Sequence, residues 1–269
     1  AACRAVAGQA SQMRDIHLSI VSHGHAHYLE RLFADLAAMP SARRYQVTLV
    51  MNIPDADRAF LQHAPFPVGI IDNPHPQGFG HNHNMAFRAP PLAAERAFFV
   101  VLNPDVRLQG DALAVLAERL GQNPDAGVIA PRVVSPQGVP EDSARELPTL
   151  PGLIRKALGR SGAWQAPPGD AVFSPDWVAG ICMLFPRQVF AQLNGFDEGY
   201  YLYYEDVDIC SRLRLAGYSV LVDPTQAIVH DAQRSSRRQW RYARWHLYSV
   251  LRFLRSDVYR QVRRLPRRR

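Results

Sequence analysis

Two short acidic segments of the sequence could do chemistry, and the first is LNPDV at 102–106. Asn103 and Asp105 there follow the most apolar run of the chain. A carboxylate at the end of a buried strand is costly unless it binds a cation or hydrogen-bond donors. Oxygen ligands suit Mg²⁺ or Mn²⁺. Asn-Pro-Asp is also an ordinary turn sequence, so this segment taken alone favours a turn over a metal site.

The second acidic segment is FDEGYYLYYEDVDIC at 196–210, where carboxylates alternate with aromatic residues. A carboxylate in such partly dry surroundings can act as a general base near neutral pH. Asp206 and Asp208 lie about 200° apart on a helix, so at most one of them faces a substrate. The other is expected to pair with Arg212 at i+4. Acids at a helix N-terminus can also simply complement the helix dipole, and the segment alone does not decide between these interpretations.

Histidines form two further clusters. Their members are His23, His25 and His27, and then His75, His81 and His83. Neutral imidazole binds zinc, so a zinc hydrolase is an alternative prediction. Each cluster follows a predicted strand, and the asparagines around the second favour hydrogen bonding to a polar ligand. His230 is separate, because it ends an apolar run and could complete an oxygen-rich metal site with a diphosphate.

Alternating strands and helices are predicted to position these residues. The predicted strands are 16–22, 46–51, 67–72, 97–103, 127–131, 218–222 and 227–230, and the apolar segment 177–185 belongs to the same body. Helical periodicity covers 29–37 and 111–120, and helices also begin near Phe79 and Pro186. This alternation predicts parallel βαβ units, with binding groups at the carboxyl ends of the strands.

Charge divides the chain into a mildly acidic body and a basic tail. The net charge is +7, but residues 234–269 contain 13 arginines and one acid. A whole-surface nucleic-acid binder is excluded, because that role needs basic groups along the binding face. We predict a leader over 1–14, one catalytic domain over 15–233 with a long loop or lid over 135–175, and the basic helical tail.

The tail and the cysteines bear on location. Trp240, Leu247, Leu251, Leu254 and Val258 form one helical stripe flanked by arginines, which fits an interfacial helix on anionic lipid. Packing of the same helix onto the body is an equal alternative. The three cysteines are scattered, as suits a reducing compartment. We therefore predict a cytoplasmic protein with peripheral contact at the inner face of the membrane.

Taken together, these segments resemble the inverting family-2 glycosyltransferases of the GT-A fold, especially bacterial rhamnosyltransferase-like members. The resemblance runs from about Asp15 to Ser236. Its most specific part is GICMLFPRQVFAQLNGFDEGYYLYYEDVDICSRLRLAGY at 180–218, supported by NPHPQGFGHNHNMAF at 73–87 and FFVVLNPDV at 98–106. It implies a Rossmann-like single α/β domain with a mostly parallel central sheet.

The resemblance also implies catalytic and metal-binding roles. Asp206 would be the general base, with Glu205 beside it. Asp105 would hold Mg²⁺ or Mn²⁺ against a nucleotide diphosphate, and His230 would reach the same metal. Such chemistry inverts the anomeric carbon without a covalent enzyme intermediate, so it needs no second positioned carboxylate.

Substrate-binding roles follow from the same resemblance. The residues implied in nucleotide and donor binding are Ser22, His23, Asn52, Gly78, Asn84, Asn103 and Asp105. Gly180 and Trp177 would lie beside the acceptor. Two departures from the family pattern are the amide of Asn103 in place of the first metal-site acid and Asn52 in place of the aspartate that reads the base.

The implied reaction moves a sugar from a UDP- or dTDP-linked donor, with dTDP-L-rhamnose as the named case. The implied acceptor is a hydroxyl of a glycan or lipid-linked molecule in cell-surface polysaccharide synthesis. A zinc hydrolase and a non-catalytic nucleotide-sugar binding module stay open as alternatives. No nucleic-acid partner is expected.

Overall fold

Short apolar sequences become the strands at the centre of the molecule. The computed structural model describes residues 15–24, 26–53, 58–89, 97–159, 167, 169–231 and 240–266. The predicted leader 1–14, His25 and the last three arginines lie outside the described residues. In chain order the strands are β1 (Ile16–His23), β2 (Tyr45–Ile53), β3 (Val68–Asp72), β4 (Phe98–Leu102), β5 (Val106–Leu108), β6 (Ala126–Val134), β7 (Ala144–Arg145), β8 (Trp177–Val178), β9 (Cys182–Pro186) and β10 (Ser219–His230).

Helices connect most of these strands. They are α1 (Ala26–Ala38), α2 (Phe79–Arg88), α3 (Ala112–Gly121), α4 (Leu150–Ala157), α5 (Arg187–Gln192), α6 (Glu205–Leu215), α7 (Trp240–Arg255) and α8 (Asp257–Val262). On α1 the buried residues Leu29, Leu32, Phe33 and Leu36 repeat at helical spacing, so one stripe of the helix faces the sheet. Each such fully buried side chain contributes about 1.5–3 kcal/mol.

Eight strands form one mixed sheet in the order β3-β2-β1-β4-β9-β6-β10-β5, and β7 pairs with β8. Neighbours from β3 to β4 are parallel, as are β6 and β10, whereas β9 and β5 run antiparallel to their partners. The carboxyl ends of β1, β2, β4, β6 and β10 therefore share one edge of the sheet. This confirms the predicted α/β class with a mostly parallel sheet.

Each face of the sheet has its own core. One core joins β1 and β2 to α1 and α3. The other joins β4 and β9 to α5, α6 and the two C-terminal helices. The β1 sequence alternates between these faces, since Ile16, Leu18 and Ile20 enter the first core, while Ser19 points to α2.

Three structural details differ from the sequence-based expectation. The predicted strands 218–222 and 227–230 form one strand, β10, whose register with β6 shifts between Asp223 and Ala227. Pro224 lacks an N–H for the ladder, and the Asp223 carboxylate accepts hydrogen bonds from the Thr225 N–H and hydroxyl instead. β5 has three residues, too few for a periodic pattern. The predicted loop 135–175 contains β7 and α4.

The described part of the tail packs on the body. Phe253, Tyr259 and Val262 are buried, and Ser256 caps α8 by accepting a hydrogen bond from the Tyr259 N–H. One face of α7 and part of α8 therefore contact the body, and the sequence left this packing and an interfacial helix as equal alternatives. Among the described residues, no helix is long and apolar enough to cross a membrane.

Candidate active site

The start of α6 holds the predicted base in place. Asp206 is half-buried, and its two oxygens accept hydrogen bonds from the backbone N–H groups of Val207 at 2.8 Å and Gly180 at 3.2 Å. Burial raises the pKa of Asp206, while the two N–H donors and the charge of Arg145 act in the opposite direction. A carboxylate with a raised pKa that still has stabilising donors suits a general base near neutral pH.

Glu205 differs from its neighbour in both burial and bonding. It is 4% exposed, and its Oε2 has no hydrogen-bond partner within the described structure. Burial, followed by the charge of Asp206, raises the pKa of Glu205 well above its ordinary value. Asp206 has two N–H donors and Glu205 Oε2 has none, so the hydrogen bonding favours the charged form at Asp206 over Glu205.

Strained backbone leads into this pair. Tyr203 and Tyr204 both have φ of 70°, a left-handed conformation that costs a non-glycine residue about 1–3 kcal/mol. The ring of Tyr204 packs against His246 and Phe253 of α7. Such strain persists where surrounding contacts over-determine it, and it clusters at functional sites.

Two backbone links join the base to the predicted metal site. Gly180 donates to Asp206, and the next residue, Ile181, accepts the N–H of Asn103 at 2.9 Å. Asn103 precedes the turn that carries Asp105. Gly180 has to be small here, because a Cβ would lie 2.8 Å from the ring of Phe79.

Asp105 meets His230 at this end of the sheet. Nε2 of His230 lies 3.4 Å from Oδ2 of Asp105, and its Nδ1 donates to Glu141 at 2.9 Å. Burial lowers the pKa of His230, but the hydrogen bonds and charges of Asp105 and Glu141 outweigh it and raise the pKa to about 9. Metal binding at this imidazole would require release of that proton.

The donor set fits a hard divalent ion that a nucleotide helps to bind. Oδ1 of Asp105 is buried and has no hydrogen-bond partner among the described residues. Mg²⁺ is commonly held by one or two protein carboxylates together with substrate phosphates. Within the same part of the chain, which does not include His25, no group of three or more His, Cys, Asp or Glu side chains is arranged to hold a metal ion alone.

Asn52 sits at the centre of an amide cluster rather than at an open surface. Its Oδ1 accepts hydrogen bonds from Asn73 Nδ2 at 2.8 Å and the Gln77 N–H at 2.7 Å. Its Nδ2 donates to the Gln77 carbonyl and to His23 Nδ1. These bonds use the full capacity of the amide. Asn52 therefore positions His23 and the 73–78 segment. A direct contact of Asn52 with the nucleobase of a donor would require breaking one of these hydrogen bonds.

Groups around this cluster retain unused hydrogen-bonding capacity. Ser22 Oγ and His83 Nε2 are buried and have no partner within the described residues. Burial, followed by the charge of His23, lowers the pKa of His83 to about 3, so its ring is neutral. His23 itself is exposed beside them. The role of Ser22 and His23 as donor contacts stays a prediction.

Asn84 and Gly78 join α2 to the segment before the base. Asn84 bonds the backbone N–H and carbonyl of Phe196 and the carboxylate of Glu198, so its amide faces protein. A Cβ on Gly78 would lie 2.7 Å from the Tyr201 carbonyl oxygen, which accepts the N–H of Phe79. Both residues therefore hold α2 against the 196–201 segment, and their role in donor binding stays a prediction.

Arg145 and Glu141 are site residues that the sequence did not single out. Both lie in the 135–175 segment. The Arg145 guanidinium stacks 5.2 Å from the Trp177 ring, whose indole N–H donates to the Glu146 carbonyl. Trp177 is 8% exposed, so its predicted acceptor contact would involve little of its ring. The sequence signal that could have indicated Arg145 is its position as an arginine within the proline-rich 135–175 segment.

The amide cluster gives a first testable prediction. In the unchanged chain Asn73 Nδ2 donates hydrogen bonds to the amide oxygens of Asn52 and Asn82. Replacing Asn73 with aspartate puts a carboxylate oxygen against these two acceptors. We expect the free energy of unfolding to fall by about 2 kcal/mol and nucleotide binding to weaken. Urea unfolding and calorimetric titration measure the two effects. The control Asn123→Asp changes an exposed helix-end amide, and equal stability of the two variants would contradict the prediction.

A cavity of about 490 Å³ lies outside this arrangement. It is lined by Arg88, Asp197, Glu198, Asp208 and Arg212 among others. Its charges are paired, since Asp208 bonds Arg212 at 2.7 Å, as the i, i+4 spacing predicts, Glu198 bonds Arg88 at 3.0 Å, and Asp197 bonds Arg252 of α7 at 2.8 Å. No predicted site residue is among the described residues that line it.

Comparison with known proteins identifies a matching family and similar sequences. The family model described as "Glycosyl transferase family 2" matches residues 18–180. Rhamnosyltransferase WbbL of Escherichia coli K12 is 29% identical over 249 residues, which cover 89% of this chain and 92% of that protein. The N-acetylglucosaminyl-diphospho-decaprenol L-rhamnosyltransferase of Mycobacterium tuberculosis is 32% identical over 150 residues, which cover 52% of this chain and 48% of that protein.

Solved structures share the fold at low sequence identity. The mannosyltransferase PcManGT from Pyrobaculum calidifontis, in complex with GDP-Man and Mn²⁺, has a TM-score of 0.60 and 15% identity, over 88% of this chain and 64% of that one. TarS 1–349 from S. aureus, in complex with UDP, has a TM-score of 0.57 and 14% identity, over 90% of this chain and 66% of that one. The predicted GT-A fold is confirmed.

Proposed function

The chain belongs to glycosyl transferase family 2, and from this premise we propose that it transfers L-rhamnose from a dTDP-linked donor to a hydroxyl of a glycan or lipid-linked acceptor. Two relatives named as rhamnosyltransferases support the choice of sugar, and one of them aligns over nearly its whole length. The name of the other gives it a diphospho-decaprenol acceptor. The proposed setting is cell-surface polysaccharide synthesis.

The observation that carries this proposal is the short connection between the base and the diphosphate-binding acid. Asp206 bonds Gly180, Ile181 bonds Asn103, and Asp105 follows in the next turn. An acceptor hydroxyl at Asp206 and a donor diphosphate at Asp105 would therefore be held near each other. Direct attack of that hydroxyl on the anomeric carbon would invert its configuration.

Each residue has a defined task in the proposed reaction. Asp206 takes the proton of the acceptor hydroxyl. At the same time the hydroxyl oxygen forms a bond to the anomeric carbon, and the bond from that carbon to the diphosphate breaks. The Gly180 and Val207 N–H groups keep the Asp206 carboxylate oriented before this transfer. A divalent ion held by Asp105 and His230 would stabilise charge on the leaving diphosphate.

A transfer assay with matched donors tests the proposal. We expect dTDP-L-rhamnose and a polyprenyl-diphosphate-linked acceptor to give a glycoside of inverted configuration, with release of dTDP that stops when EDTA removes the metal. UDP- and GDP-linked sugars serve as comparison donors. A product of retained configuration would exclude the mechanism. Tight nucleotide binding without transfer to any acceptor would instead indicate a binding module.

A further inference from the structure

Helix α7 contacts the segment that leads to the predicted base. The ring of Trp245 lies 4.6 Å from that of Tyr201, and Ser249 Oγ donates to the Leu202 carbonyl at 2.9 Å. Phe253 is fully buried. The inner face of α7 is thus fixed to residues 200–204, immediately before Glu205 and Asp206.

The opposite face of α7 carries exposed apolar residues. The exposed fractions are 77% for Trp240, 59% for Leu247, 58% for Tyr248 and 38% for Leu251. Positions 240, 247 and 251 recur at helical spacing, so they form one stripe. Exposed Trp and Leu side chains in a continuous stripe mark a surface that contacts a protein partner or a membrane.

The charges beside this stripe indicate the kind of partner. Exposed Arg241, Arg244 and Arg255 accompany it, and α7 contains no acidic residue. An apolar stripe with adjacent arginines is typical of a helix that lies in the interface of an anionic bilayer. A protein partner of matching charge would need an acidic surface with an apolar groove. An anionic bilayer offers negative headgroups beside an apolar acyl region without any such special shape.

We propose that the outer face of α7 docks on an anionic lipid surface. This docking would place residues 200–204, which lead to Asp206, near the lipid headgroups. A helix is about 10 Å across, so the lipid would lie about that far from residues 200–204. An acceptor anchored in the same membrane would then reach Asp206 without leaving the bilayer. This choice of acceptor rests on the proposed function, whereas the docking itself does not.

Vesicle sedimentation with the full chain tests the docking. We expect binding to phosphatidylglycerol–phosphatidylcholine vesicles and little binding to phosphatidylcholine alone. Leu251→Gln should weaken binding about tenfold, and Arg244→Gln about fivefold, since each arginine near an anionic surface contributes about that factor. The matched controls are Ile70→Gln, equally exposed on β3, and Arg43→Gln, an exposed arginine before β2. Both should bind as the unchanged chain does.

Three outcomes would overturn the docking: equal binding to neutral vesicles, equal losses in the controls, and a lipid-free dimer that Leu251→Gln dissociates in sedimentation velocity. The last would assign the stripe to a second copy of the chain. Asp206→Asn should bind vesicles normally. Failure of sugar transfer with intact vesicle binding would therefore count against the proposed function alone, and transfer without vesicle binding against the docking alone.

Discussion

Replacing Asp206 with asparagine is expected to lower kcat about 1,000-fold while nucleotide binding persists. Asparagine keeps the shape of the side chain but cannot take a proton, and general-base catalysis typically contributes 10²–10⁴-fold. Single-turnover transfer measures the loss, and calorimetric titration with dTDP measures binding. The control is Asp208→Asn on the same helix, because Asp208 bonds Arg212 rather than facing Gly180. The control Asp208→Asn should retain transfer. Full activity in Asp206→Asn together with loss of transfer in the control would show that Asp206 is not the general base.

The pH profile of the unchanged enzyme belongs to the same prediction. Burial raises the pKa of Asp206, so the acidic limb of kcat should lie above the ordinary titration range of an aspartate. Activity rises as the pH increases through that pKa, because only the deprotonated carboxylate accepts a proton. Glu205→Gln tests the proton assignment. If Glu205 is neutral, the limb stays in place, whereas a clear shift of the limb to lower pH would show that Glu205 is charged.

Replacing Asp105 with asparagine is expected to weaken metal-dependent nucleotide binding on the order of 100-fold. Oδ1 of Asp105 is a buried carboxylate oxygen with no partner in the described structure, so its charge is available to a cation. Titration of dTDP with and without Mn²⁺ should show the loss only when the metal is present. Asp35→Asn is the control, because Asp35 bonds Arg107 and the Leu108 N–H close to the same turn.

An equal dTDP affinity in Asp105→Asn and the unchanged chain, with Mn²⁺ present, would contradict the assignment of Asp105. The substitution also removes the carboxylate that raises the pKa of His230. Binding should therefore be measured above pH 9 as well as near neutrality, so that the imidazole is deprotonated in both proteins. A loss that persists at the higher pH belongs to Asp105 itself.

The sequence predicted the framework well because the framework depends on local patterns. The spacing of Leu29, Leu32 and Leu36 is a property of the chain alone, and it predicts α1 in nearly its observed bounds. The pairing of Asp208 with Arg212 likewise follows from one turn of helix. The carboxyl ends of parallel strands converge wherever βαβ units repeat, so the location of the site was predictable from the order of elements.

Side-chain partners across the fold were not predictable in the same way. Asn52 and Asn84 lie in segments that match the family pattern, yet tertiary contacts satisfy their amides within the protein. Nothing in the spacing of Asn52, Asn73 and Gln77 indicates which amide faces which. Glu141 meets His230 from 89 residues away, and a contact of that separation leaves no periodic signal.

The antiparallel direction of β9 has a consequence for altering this enzyme. β6 ends and β9 begins at the active edge, and the two strands are neighbours in the sheet. The intervening chain, which carries Glu141, Arg145 and Gly180, therefore leaves and re-enters the sheet at adjacent points. Such an excursion can be exchanged between relatives without re-threading any strand. A graft that keeps Glu141, which bonds His230, and Gly180, which donates to Asp206, would vary only the rest of this segment.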